Sequence, residues 1–277
     1  MPTLAGMTRQ PPAVLSIAGS DSGGGAGIQA DLKAFAHAGV HGTTALTALT
    51  AQNTTAVTGV HPVPPAFIVE QVRAVAQDLG VDAVKIGMVG SARATEAVAW
   101  ALDELPRGTP VVLDPVMVAE SGARLLEPDA EDALRDLLLP RATVATPNLM
   151  EARVLVRDAT LDGEELARRV RALGPDVVVV TGGHREEAAD LFFDGDSFAA
   201  IPGPRHPDGA AHGSGCTHSS TLAAQLALGA SPLDAAKVAR EVAAEAVRRG
   251  LRGLGGGAGP VDVLGVTDRL RTKSALP

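Results

Sequence analysis

The chain has 277 residues, 45% hydrophobic and 20% charged, a globular balance that excludes a mostly disordered protein. Its formal charge is -8, it has no basic run, and only 2% of its residues are aromatic, none of them Tyr. A phosphate-backbone polymer needs a basic face and stacking rings, so nucleic acid is not an expected partner. The one cysteine, Cys216, excludes an internal disulfide and a multi-cysteine metal site, and suits a reducing cytoplasm.

Residues 1–12 carry three prolines and no continuous apolar stretch, so they read as a flexible lead-in and not as a signal peptide. Strands are predicted at Ala13–Ala18, Thr43–Leu49, Val57–His61, Ala83–Ile86, Pro110–Leu113, Thr143–Thr146 and Val177–Thr181. Several are apolar at consecutive positions, as in strands buried on both faces of a parallel sheet. Helices are predicted between them. The first runs from the glycines to His37, with Gly39 as a left-handed cap. Next come Ala66–Leu79, Ala92–Leu105 behind Ser91, Asp129–Leu138, Leu149–Val156 and Gly163–Leu173. Gly215–Leu228 and Pro232–Arg249 close the chain, the second with Ser231 as N-cap. Asp190–Ile201 departs from this alternation: two short runs flank Asp194-Gly195, a hairpin signal. The pattern predicts one α/β domain over 13–266, a mostly parallel sheet with right-handed crossovers and an antiparallel hairpin at one edge, then a tail over 267–277. No window approaches 18 uninterrupted apolar residues, so no membrane span is expected.

Four features could carry chemistry. The first is the glycine loop from Gly19 to Gly27, between the first strand and the first helix. A dinucleotide fingerprint fails on register, because Ile28 stands where the last glycine would, and no Gly-Lys pair exists for a P-loop. The loop is either a tight turn or a place for close ligand approach. The second is Gly213-Ser214-Gly215-Cys216-Thr217 behind His212, at a helix start. Amides and dipole there suit an anion and favour a thiolate, making Cys216 a candidate base or nucleophile; the plain alternative is a small buried hydrophobe.

The third is acidic. Asp114, at the end of an apolar strand, faces the ligand crevice and suits Mg²⁺. Asn148 and Glu151 flank a strand-to-helix turn, where spacing alone favours a solvated first-turn acid for Glu151. The fourth is Asp31 and Gln52-Asn53, a carboxylate and carboxamides able to read a ring nitrogen and its amino group. The alternatives are surface charge for Asp31 and a turn for Gln52-Asn53. His212 and His218 lack zinc spacing.

The stretches IAGSDSGGGAGIQADLKAF, TALTAQNT, KIGMVGS, VLDPVM, TPNLMEA, VVTGGH and HGSGCTHSS occur in that order. The series resembles bacterial hydroxymethylpyrimidine/phosphomethylpyrimidine kinases of thiamine biosynthesis, in the ribokinase superfamily, from Val14 to Leu264. The resemblance implies a ribokinase-like three-layer α/β/α sandwich, a homodimer, and transfer of phosphoryl groups from Mg·ATP to a small-molecule pyrimidine and then to its monophosphate. It implies that Asp31 and Gln52 hold the pyrimidine between walls at Gly19, Met88 and Val116, and that Cys216 is the base. It places His212, Gly213, Ser214 and Gly215 in the anion hole, Asn148 and Thr181 on the ATP side, and Asp114 and Glu151 at the Mg²⁺.

Two positions depart from the pattern. Thr181 stands where many relatives have a lysine that would touch ATP phosphates, so either Mg²⁺ or an arginine takes its part or turnover is slow. Gly209-Ala210-Ala211 replaces a common Asn-Thr. Competing readings are a pyridoxal kinase of the same superfamily and a pyrimidine-binding protein without turnover.

Overall fold

A computed structural model of the chain describes residues 10–182, 189–207 and 209–269. Its centre is a nine-stranded sheet: β1 (Ala13–Asp21), β2 (His41–Gln52), β3 (Val57–Pro62), β4 (Ala83–Ile86), β5 (Val111–Leu113), β6 (Val144–Ala145), β7 (Val177–Val180), β8 (Ala189–Phe193) and β9 (Phe198–Pro202). The order is β3-β2-β1-β4-β5-β6-β7-β8-β9. The six strands from β2 to β7 in that order are parallel.

The consecutive apolar residues of the strands serve two layers. Val14, Val112, Val144 and Val177 face α1 (Gly27–Ala38), α7 (Ser214–Ala227) and α8 (Pro232–Arg249). Leu15, Ile17, Val84 and Leu113 face α2 (Pro65–Asp78), α3 (Ala92–Leu102) and α4 (Pro128–Ala133). The helices α5 (Leu149–Val156) and α6 (Gly163–Arg171) cover the β7–β8 end. This is the expected three-layer α/β/α sandwich. Gly39 takes the left-handed cap with φ 78°, and the Ser91 and Ser231 side chains cap α3 and α8.

The hairpin at Asp190–Ile201 forms as expected, with β8 and β9 antiparallel at one edge. A second antiparallel strand, not foreseen, closes the other edge: β3 runs against β2. The link between them is too short for a parallel crossover. Asn53 Oδ1 accepts the amides of Thr55 and Ala56 to turn the chain directly. Two more boundaries shift. β1 continues past Ala18 to Asp21, which places the glycine loop's first residues in the sheet. The helix expected over Asp129–Leu138 is α4 followed by a π-helical turn, Leu134–Leu138.

Candidate active site

The strand order reverses between β1 and β4, since the chain passes from β1 to β2 on one side and returns to β4 on the other. Ligand crevices form outside the carboxyl ends of strands at such a switch point. A pocket opens there, bordered by both glycine loops and by the ends of β4, β5 and β7.

The first loop is organised by a residue that sequence reading passed over. Asp21 Oδ1 accepts the amide of Gly23 at 2.7 Å, and Oδ2 accepts those of Gly25 and Ala26 at 3.0 and 2.9 Å. These amides serve Asp21, so they do not form an open anion cradle; the loop is a rigid wall. A methyl group at Gly19 would collide with Met88 Cε, which explains the glycine there. Burial alone would raise the Asp21 carboxyl, but His212 and the loop amides hold it below the usual carboxylate range.

The second loop packs on the first. Gly213, with φ 85°, precedes α7, and a side chain on it would run into the carbonyl of Gly25. His212 Nε2 lies 2.9 Å from Asp21 Oδ2. No side chain caps α7, so its first amides keep donor capacity facing the pocket. The Ser214 amide is the exception, because it donates to Ala211 O at 2.9 Å.

The next turn of α7 buries polar groups, Ser219 and Ser220 among them. Cys216 borders the pocket, Ser219 Oγ donates to Asp114 Oδ2 at 3.0 Å, and Ser220 Oγ donates to Asp31 Oδ1 at 2.7 Å. Asp31 also accepts from Ser16 Oγ at 2.5 Å and from Lys85 Nζ at 2.9 Å. Its carboxylate is wholly buried and is not a pocket wall. Asp31 thus stands behind the wall with three partners on its two oxygens, and Lys85 is among the residues that border the pocket. Every other expected site residue borders the pocket: Gly19, Gln52, Met88, Val116, Asp114, Asn148, Glu151, Thr181, His212, Gly213, Ser214, Gly215 and Cys216.

The electrostatics correct two further expectations. Burial pushes the Cys216 thiol up to about 12, reinforced by Asp31 and Asp114, while Lys85 and the Gly27 amide oppose the rise. A helix start alone does not produce a thiolate here, because desolvation outweighs the dipole. Glu151 is not a solvated acid. It is buried, and it closes a capping box in which Asn148 N donates to Glu151 Oε2 at 2.9 Å and Asn148 Oδ1 accepts the Glu151 amide at 3.0 Å. Burial and then the charge of Asp114 push its carboxyl up to about 8. Burial also raises Asp114, against the pull of Lys85 and Ser219.

Thr181 follows β7 and donates its amide to Pro147 O at 2.9 Å. Beside it lie three residues that sequence reading did not single out as pocket walls. Asp190 Oδ1 accepts the Gly182 amide at 2.8 Å, His218 Nε2 stands 3.1 Å from Asp190 Oδ2, and Arg240 Nη1 stands 3.9 Å from Asp190 Oδ1. Desolvation opposes ionisation of Asp190, but His218, the Gly182 amide and Arg240 prevail and hold it below the usual range. The motif residues Gly183 and His184 lie outside the described residues.

Residues 21–262 match the protein family described as phosphomethylpyrimidine kinase. The chain is 45% identical over 265 residues to the hydroxymethylpyrimidine/phosphomethylpyrimidine kinase of Mycobacterium tuberculosis, covering 94% of this chain and 95% of that one. It is 48% identical over 254 residues to the protein so named in Rhizobium meliloti, covering 89% and 95%. Among solved structures, the ADP complex of Bacillus subtilis pyridoxal kinase superposes with a TM-score of 0.84 at 36% identity, over 93% of this chain and 99% of that one. The chain, with its ribokinase-like fold and its crevice at the switch point, belongs to the phosphomethylpyrimidine kinase family.

Proposed function

We propose that the chain transfers the γ-phosphoryl group of ATP to the hydroxymethyl oxygen of 4-amino-5-hydroxymethyl-2-methylpyrimidine, then to the resulting monophosphate, within thiamine biosynthesis. One observation carries this reading: Cys216 and the uncapped start of α7 share a pocket with Gln52, Gly19, Met88 and Val116. An acceptor held against Gln52 and those walls has its hydroxymethyl group directed at the anion hole.

In each step an acceptor oxygen attacks the γ-phosphorus, an O–P bond forms, and the bond to the ADP oxygen breaks. The Gly215 and Cys216 amides receive the charge on the migrating group. In the first step the hydroxyl loses its proton, and Cys216 takes it when ionised. The resting thiol is protonated, so this assistance grows with pH. In the second step the attacking phosphate oxygen is already ionised, and positioning suffices.

Asp114 and Glu151 would hold the Mg²⁺ of Mg·ATP. Burial makes both carboxyls retain protons beyond their usual range, with the charge of Asp114 adding to the rise of Glu151, and a divalent cation relieves this deficit. When bound, the ion supplies positive charge to the phosphates. Thr181 and Asn148 border the nucleotide end, and Arg240 supplies there the cation that Thr181 does not.

We assign the chain to a homodimer as well. Edge strand β3 leaves Val60 exposed and pairs only with β2, so its outer row is available to a second copy. Among the described residues no helix is long and apolar enough to cross a membrane. The lone thiol suits a reducing cytoplasm.

Pyridoxal phosphorylation is the second reading, supported by the superposition on pyridoxal kinase. Purified protein is incubated with ATP, Mg²⁺ and either pyrimidine or pyridoxal, with ADP release coupled to product mass. Successive appearance of pyrimidine mono- and diphosphate supports the first reading. Turnover of pyridoxal alone replaces it, and tight pyrimidine binding without ADP release establishes a binding protein.

A further inference from the structure

Positive charge is scarce in the pocket. Among the described residues, Asp21, Asp114, Glu120, Glu151 and Asp190 border it, against the permanent cations Lys85 and Arg240. Arg240 stands by Asp190 at the Thr181 end. Lys85 stands on β4 at the other end, beside β1 and three residues before the wall residue Met88.

A lysine wholly closed to solvent is rare unless paired. Nζ lies 2.9 Å from Asp31 Oδ1 and 4.0 Å from Asp114 Oδ2. Both side chains are buried, but Lys85 is among the residues that border the cavity and Asp31 is not, so the positive member of the pair lies nearer the ligand. Nζ lies against Gly87, where even a methyl group would come within 2.8 Å of it. In such dry surroundings its field is little screened by water or salt.

The two acceptors differ in charge. The alcohol is neutral, whereas a phosphate monoester carries about -1.5 to -2 near neutral pH. A pocket bordered by the carboxylates of Asp21, Glu120 and Asp190 disfavours the second unless a fixed cation lies close by. We propose that Lys85 is the positioning residue for the phosphorylated acceptor, its buried ammonium holding the monophosphate for the second transfer while adding little to binding of the alcohol. This rests on the two-step kinase reading above. No proton moves at Lys85; its charge stays fixed through both steps.

Lys85→Met keeps the side-chain length and removes the charge. Binding of each acceptor without ATP is measured by calorimetry, and kcat/KM for each step with purified alcohol and purified monophosphate. Affinity for the monophosphate and kcat/KM of the second step should fall at least about tenfold more than the values for the alcohol. The single variant leaves the Asp31 carboxylate buried without its partner, so the double variant Asp31→Asn, Lys85→Met is measured beside it. The double variant should regain thermal stability while keeping the skewed preference for the alcohol. Equal weakening of both acceptors, or a preference that returns to normal along with stability, overturns the proposal. Wild-type protein that binds and phosphorylates neither acceptor overturns the kinase reading itself, a result visible before any variant is made.

Discussion

His212 Nε2 and Asp21 Oδ2 meet at 2.9 Å across 191 residues of chain, and this contact joins the wall of the acceptor site to the anion hole. Asp21→Asn replaces one of the two acceptor oxygens with an NH₂ group, which then faces either donors of the loop or the imidazole. We expect a loss of about 1–3 kcal/mol, the cost of leaving buried donors unpaired. The Asp21 carboxyl lies below its usual value, so its contribution is present above the unfolded pKa and lost as pH falls through the lower folded one. Acid unfolding followed by circular dichroism should show a smaller drop between neutral and low pH in the variant. An unchanged acid profile would show that the loop does not depend on this carboxylate.

Cys216→Ala should reduce the first phosphorylation by about 10²-fold or more and the second by less than about tenfold, since only the first removes a hydroxyl proton. With the thiol pushed up to about 12, each rise of one pH unit below that value increases the thiolate about tenfold. The first step should therefore accelerate from pH 7 to 9, and the second should stay nearly flat. Initial rates with each purified acceptor test both slopes, and parallel losses in the two steps would remove the base role.

Glu151 gives the opposite kind of dependence. Its folded carboxyl binds a proton up to about pH 8, against an ordinary value of 4.5. The unfolded chain releases that proton earlier, so metal-free protein should lose stability as pH rises from about 5 to 8. Glu151→Gln keeps an oxygen for the Asn148 amide and should flatten this loss. Added Mg²⁺ should raise the wild-type melting temperature more at pH 8.5 than at pH 6, and leave the variant nearly unmoved. Differential scanning fluorimetry across pH reads all of these, and a variant that still responds to Mg²⁺ like wild type would displace Glu151 from the metal site.

Arg240→Met should raise the KM for ATP by about tenfold or more while changing the acceptor KM little, because a phosphate-binding cation acts on the nucleotide. Adding Thr181→Lys should restore much of the loss by bringing a cation to the same end of the pocket. Steady-state kinetics with each substrate varied separately decides the matter. A loss of kcat that the lysine does not restore would assign Arg240 to packing.

Much of the fold could be read from the chain because its physics is local. Val177-Val178-Val179-Val180 lacks alternation and demands cover on both faces, and Ser231-Pro232 announces a helix start. The parallel core and the β8–β9 hairpin followed from such signals. The direction of β3 was also encoded, in the short link turned by Asn53, but periodicity reports a strand and not its direction. In the site, the glycine runs marked both loops. The work of Asp21 was hidden because an aspartate among serines and glycines reads as an ordinary turn residue. Lys85 left a signal that was not used: a charged residue inside the apolar run Ala83–Ile86 requires a buried partner. Which side of the wall Asp31 occupies, and whether burial or helix dipole governs Cys216, depend on depth, which spacing along a helix does not give.

The polar floor has a consequence for how the protein matures. Asp31 is clasped by Ser16, by Lys85 and by Ser220, the last of these 189 residues further along the chain. Contacts of such long separation close late, after much of the chain's entropy has been lost. During synthesis the sheet from β1 to β7 can collapse before α7 emerges, but Asp31 and Asp114 then lack their serine partners. Competence to bind ligand therefore arrives as one of the last events of folding, and a nascent chain stopped short of Cys216 has Asp31 and Asp114 with no helix to seal them.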